Sequence, residues 1–214
     1  MIRMKIRLSG AGKRFSREWI FRNADLSFNA GTAYAITGAN GSGKSTLLQC
    51  VAGMLEINEG SIEYSNQEGL INNEAAYRHI SFCSPYLDVI EEMTLVEFLG
   101  FHSSFKSFIK GFDINNIIRA VALEASANKQ IRYFSSGMKQ RVKLAQAIFS
   151  DAGIILLDEP CSNLDLKGIE LYHSLIEDHC KERLVLVCSN DEVEYRFCKE
   201  IISIHDFKPP VKTA

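Results

Sequence analysis

Apolar and charged residues alternate from residue 2 to residue 8, with Ile2, Met4, Ile6 and Leu8 set against Arg3, Lys5 and Arg7. That period of two predicts a strand with one buried face. A second strand is predicted over 19–28, where Ile20, Ala24, Leu26 and Phe28 are apolar, and a short buried one over 33–37. A glycine-rich turn then opens into a helix predicted over 44–54. Strands follow over 60–64 and 79–83, and the pattern becomes helical from 94 to 149. Strands return at 154–158, 184–188 and 201–204, with a helix over 166–180 between the first two. Strands alternating with helices imply a parallel sheet covered on both faces. The helical stretch in the middle reads as an inserted subdomain, and the end of the chain, Lys208-Pro209-Pro210-Val211-Lys212, as a loose tail.

Composition narrows what such a domain does. The 214 residues are 46% hydrophobic, enough for one domain with a full core. A net charge of -2 gives no basic field for nucleic acid. The six cysteines, Cys50, Cys83, Cys161, Cys180, Cys188 and Cys198, form no C-x-x-C pair and match no zinc spacing. Several lie in apolar runs and read as buried free thiols of a reducing compartment. The first residues lack the apolar stretch of a signal peptide. No run approaches the ~18 apolar residues of a membrane helix, so a role at a membrane would act through a partner.

The chemistry enters at Gly38-Ala39-Asn40-Gly41-Ser42-Gly43-Lys44-Ser45, which fits G-x-x-x-x-G-K-[ST] at every fixed position, between a predicted strand and a predicted helix. Glycines let successive backbone N–H groups turn inward on phosphate oxygens. The helix beginning near Lys44 adds its positive end, and Thr46 continues its first turn. Lys44 is the reach to the β- and γ-phosphates, and Ser45 a magnesium ligand. The run Ile154-Ile155-Leu156-Leu157 ends in Asp158-Glu159-Pro160. A buried strand that delivers two carboxylates at its C-terminal edge suits a Walker B site. Asp158 would hold magnesium and Glu159 would polarise the attacking water.

With those motifs placed, the chain resembles the ATP-binding cassette family over about residues 2–204. Phe134-Ser135-Ser136-Gly137-Met138-Lys139-Gln140-Arg141 is similar to the family signature L-S-G-G-Q, with Ser136 and Met138 departing from it. The resemblance implies an α/β fold of the P-loop NTPase (RecA-like) type: a parallel sheet core, an antiparallel β portion and an inserted helical subdomain. It divides the chain into a core of 1–85 and 150–207, a helical subdomain of about 86–149, and a flexible tail of 208–214. It implies ATP and Mg2+ as ligands. It implies that Ser135, Ser136 and Gly137 meet the nucleotide bound by a second cassette, an identical copy being the simplest partner. Ser135 could equally be a helix N-cap without ligand. Ser162-Asn163-Leu164-Asp165 looks like the D-loop, with Asp165 either contacting the opposite phosphate loop, capping the next helix, or both. Phe15 falls where the family stacks an aromatic ring on adenine; a core phenylalanine and stacking by Trp19 are the other readings.

Two positions depart from the family pattern. Pro85 stands nearest the place of a glutamine after the strand over 79–83, and proline has no side-chain donor or acceptor. Asn190 stands in place of a histidine; it keeps an amide able to hydrogen-bond the γ-phosphate but cannot exchange a proton. Both touch hydrolysis more than binding, so a slow ATPase is expected. The resemblance implies the energising subunit of a membrane transporter, cytoplasmic and peripheral at the inner face of the membrane through a separate transmembrane subunit. The alternative is an ATP-gated binding or regulatory cassette with little turnover. Phe98, Phe101, Phe105, Phe108 and Phe112 fall at helical spacing, either as the core of the helical subdomain or as a dock for the membrane subunit.

Overall fold

The computed structural model describes residues 3–208. Ile2, at the start of the first predicted strand, and residues 209–214 of the expected tail lie outside the described residues. The first two strands, β1 (Lys5–Phe15) and β2 (Glu18–Asn29), form an antiparallel hairpin. β1 was expected to end at Leu8 but runs on to Phe15 through irregularities in its register. Gly10 absorbs one of these, at φ 56, and its N–H donates to Asp25 Oδ1 at 2.8 Å. A bulge of this kind lets one strand outrun a local pattern of two. β4 (Glu59–Asn66) pairs with the other edge of β1, and β5 (Gly69–Ile71), not anticipated from the sequence, closes the order β2-β1-β4-β5.

The second sheet is parallel throughout. Its strands are β3 (Ala33–Thr37), β6 (Ile80–Cys83), β7 (Ile154–Asp158), β8 (Leu184–Cys188) and β9 (Glu200–Ser203), in the order β6-β7-β8-β3-β9. Every residue of β7 and β8 is buried, as the unbroken apolar runs require of strands covered on both faces. Alternate residues feed different cores. Ile154, Leu156, Leu184 and Leu186 pack with α1 (Lys44–Val51) and the antiparallel sheet. Ile155, Leu157, Val185 and Val187 pack with the helices of the other side.

Those helices are α2 (Leu95–Phe105), α3 (Ile114–Ala120), α4 (Ser136–Phe149) and α5 (Leu166–His179). The buried residues of α2 and α3 join the same core as the sheet face beneath them. The phenylalanine stripe is not one helix face. α2 stops at Phe105, where Lys106 is extended, and Phe108 forms an isolated bridge to Ser150. The Ser103 and Ser104 hydroxyls donate back to the carbonyls of Gly100 and Phe101, at 2.7 and 2.6 Å. That habit of serine favours a helix end. Phe98 is buried, whereas Phe105 is 76% exposed. A short α6 (Glu192–Tyr195), absent from the sequence reading, leads from β8 to β9. All six cysteines are free, five of them buried. Among the described residues no helix is long and apolar enough to cross a membrane.

Candidate nucleotide site

The loop from β3 to α1 is shaped by glycines in the left-handed region: Gly38 at φ 149, Gly41 at φ 75 and Gly43 at φ 106. Two also tolerate no side chain. A Cβ on Gly38 would lie 2.6 Å from Ile204 Cγ2, and one on Gly43 would lie 2.3 Å from Ile20 Cγ2. The loop is thereby pressed against β2 and the chain after β9, and its backbone curls round an open centre. Lys44 is buried, and its Nζ donates to the carbonyls of Gly38 and Ala39 at 2.8 and 3.2 Å. The ammonium thus spans the loop at the position of an anion's counter-charge. Beneath it, Cys188 Sγ contacts the Lys44 carbonyl at 3.4 Å.

β7 lies beside β8 and brings its acidic end under α1. Asp158 is buried, its Oδ1 accepting from Ser45 Oγ at 3.0 Å while its Oδ2 has no hydrogen-bond partner. Burial pushes this carboxyl above the usual carboxylate range, the Ser45 hydroxyl draws it back, and Glu159 pushes it up further. The buried Ser42 hydroxyl is also unpartnered. An orphaned carboxylate oxygen beside a serine hydroxyl suits a hard divalent cation that would complete its shell with phosphate and water. Mg2+ with a nucleotide fits the residues present. Glu159 stands next along the chain in the left-handed conformation, φ 43, with its N–H held by the Cys188 carbonyl at 2.9 Å. A non-glycine residue in that region is strained and points to a functional constraint. The cleft, of about 370 Å³, is lined by Asn40, Gly41, Lys44, Ser45, Thr46 and Glu159, with Ile20 and Tyr86 contributed from β2 and the loop after β6.

The signature residues are elsewhere. Ser135 caps α4, its Oγ accepting the Met138 N–H at 3.2 Å. Ser136 is exposed, and a Cβ on Gly137 would stand 2.9 Å from the Asn163 carbonyl, so only glycine lets this helix start cross the loop after β7. Asp165 caps α5 through the Gly168 N–H, at 2.8 Å, and Arg141 reaches it at 3.4 Å. Ser135, Ser136, Gly137 and Asp165 line one hollow of about 430 Å³ that shares no residue with the cleft. The structure therefore brings the expected residues together as two groups. Two more tie these groups to the frame: Gln140, whose Nε2 donates to Pro160 O at 2.8 Å, and Glu194, which accepts the Cys161 N–H at 2.8 Å.

Phe15 ends β1 at 48% exposure, with Lys13 Nζ 5.2 Å from its ring centroid, so the reading of it as a core residue is corrected. Trp19 is taken up between the guanidinium groups of Arg14 and Arg22, 5.4 and 4.6 Å from its ring. Neither lines the cleft. Asn190 follows β8 on the surface and does not line it either. Tyr86 and Ile20, which do line it, were not among the expected site residues. Tyr86 could have been found from the turn signature Ser84-Pro85-Tyr86; nothing in the sequence marks Ile20.

A phosphate-binding loop between a parallel strand and a helix, with a carboxylate at the end of β7, two strands away across β8, defines a P-loop nucleotide-binding domain. The family profile described as ABC transporter matches residues 21–162. The chain is 32% identical over 200 residues to an uncharacterized ABC transporter ATP-binding protein, YybJ, of Bacillus subtilis, covering 91% of this chain and 86% of that one. It is 34% identical over 180 residues to the cytochrome c biogenesis ATP-binding export protein CcmA of Nitrobacter winogradskyi, covering 81% and 86%. Its fold matches a putative ABC transporter ATP-binding protein from Pyrococcus furiosus at TM-score 0.81, with 21% identity over 96% of this chain and 100% of that one. It also matches a dimeric ATP-binding cassette in a post-hydrolysis state bound to ADP and Pi, at TM-score 0.78, with 24% identity over 92% and 93%. The chain belongs to the ABC transporter family, as an ATP-binding cassette subunit.

Proposed function

We propose that this subunit binds Mg-ATP in the cleft at Lys44 and closes head to tail on a second copy of itself. The separation of the two groups of site residues carries this reading. Lys44, Ser45, Asp158 and Glu159 surround the cleft, while Ser135 and Gly137 open a different hollow of the same chain. Each is half of a site, and a two-fold pair of chains supplies both halves twice. Lys44 leaves its backbone carbonyls for the phosphates. Ser45 and Asp158 hold the magnesium, which would neutralise phosphate charge. Phe15, exposed at the hairpin end, stacks on the base. The N-terminus of α4, carrying Ser135, offers its free N–H groups to the partner's terminal phosphate.

Glu159 orients and polarises the attacking water. Asn190 adds no protonatable group, and Pro85 adds no side-chain donor, so turnover is slow. Losing one well-aimed donor costs roughly 10²–10³ in rate. Closure of the pair drives a separate membrane subunit, which places the protein at the inner face of the membrane. The names of its relatives, among them export and import ATP-binding proteins, support that role. Calorimetry tests the reading at its base. Wild type should bind Mg-ATP, and folded Lys44→Ala should not; unchanged affinity in the variant would overturn it.

A further inference from the structure

The loop after β6 does more than lack a glutamine. Ser84, Pro85, Tyr86 and Leu87 form a β-turn closed by the Leu87 N–H on the Ser84 carbonyl at 3.2 Å. Proline occupies the second position, where its fixed φ is preorganised, and serine the first, where its Oγ accepts the Tyr86 N–H at 3.3 Å. Lys143 of α4 holds the same turn from below, its Nζ donating to the Pro85 carbonyl at 2.8 Å and reaching the Ser84 carbonyl at 3.4 Å. The residue so displayed is Tyr86. It is 82% exposed, yet it lines the cleft with Lys44, Ser45 and Glu159.

At that exposure the ring does little packing, so what the turn fixes is its place at the edge of the cleft. A phenol is a neutral donor and acceptor at the end of a rigid arm. It shares the cleft with Lys44 and Glu159, between which the last phosphate of a nucleotide in the proposed site would lie. We propose that Tyr86 is a terminal-phosphate ligand in this chain: its phenolic O–H donates to a γ-phosphate oxygen, and the Ser-Pro turn exists to aim it. This rests on the Mg-ATP reading of the cleft and deepens it. It also gives Pro85 a role. The proline binds nothing itself; it sets the turn that delivers the next residue.

A contact to the γ-phosphate alone distinguishes ATP from ADP without any turnover. The experiment is calorimetry of Mg-ADP and of a non-hydrolysable Mg-ATP analogue with wild type, Tyr86→Phe and Tyr86→Gln. Phenylalanine keeps the ring and removes only the hydroxyl. Tyr86→Phe should bind the ATP analogue about three- to tenfold more weakly, the usual worth of one hydrogen bond, and ADP unchanged. Tyr86→Gln, shorter and flexible, should lose at least as much for the analogue and leave ADP unchanged. Equal affinity of wild type and Tyr86→Phe for the ATP analogue would overturn the assignment while leaving the Mg-ATP reading intact. An equal loss for ADP and analogue would overturn it too, showing that the ring serves the cleft's structure. A wild type that binds neither nucleotide would overturn both readings at once.

Discussion

Gly41 and Gly43 both sit at positive φ, two residues apart in one loop, yet their surroundings differ. A Cβ on Gly41 meets nothing within 4 Å, whereas one on Gly43 would drive into Ile20. Gly41→Ala should therefore cost only the left-handed strain, about 1 kcal/mol. Gly43→Ala adds overpacking against β2 and should cost roughly 3 kcal/mol in all, with loss of Mg-ATP binding. Thermal unfolding and calorimetry of the two variants check this; equal midpoints would show that Ile20 yields freely. At this scale the sequence was legible where a motif fixes spacing, as at Lys44, Ser45, Asp158 and Glu159. It was not legible for Ile20, because no local pattern says that a strand residue 23 positions before Gly43 will press on it. Phe15 was legible as aromatic, but only its exposure decides between a core ring and a free one.

At the scale of elements, α2 and α4 carry different burdens. His102 on α2 places Nε2 2.8 Å from Ser150 Oγ. Burial, with Lys106 adding repulsion, lowers its pKa to about 4. In the unfolded chain it titrates near ~6.5, so between those values the unfolded state binds the extra proton. The stability tied to neutral His102 is complete above ~6.5 and is lost as the pH falls toward 4. Melting midpoints should drop between pH 7 and pH 5, and drop less in His102→Gln. An equal drop would assign the acid sensitivity elsewhere. On α4, Ser135→Ala removes an N-cap and should cost about 1 kcal/mol in the isolated chain. Chemical denaturation measures that loss, and a monomer unchanged in stability would deny the cap. Apolar patterns, alternating in β1 and unbroken in β7 and β8, located eight of the nine described strands, including all of the parallel sheet, because burial on one or both faces writes itself into the sequence. The three-residue β5 and the four-residue α6 are too short to carry a period, and the end of α2 turned on serine side chains bonding back to their own helix.

At the scale of the whole molecule, the parallel sheet separates two cores and holds the cleft and the signature hollow apart on one chain. Neither hollow gathers all of the expected site residues, and that geometry makes the proposed pairing the central claim. Glu159→Gln keeps the shape of the carboxylate, removes the base and should trap ATP in a closed pair. Sedimentation of Glu159→Gln at saturating Mg-ATP tests it most directly, with binding confirmed in parallel by calorimetry. The account predicts a dimer with Mg-ATP, a monomer without nucleotide, and a monomer with Mg-ATP when Ser135→Arg is added to block the signature hollow. A Glu159→Gln protein that binds Mg-ATP yet stays monomeric, or one that still pairs with Ser135→Arg in place, would contradict it.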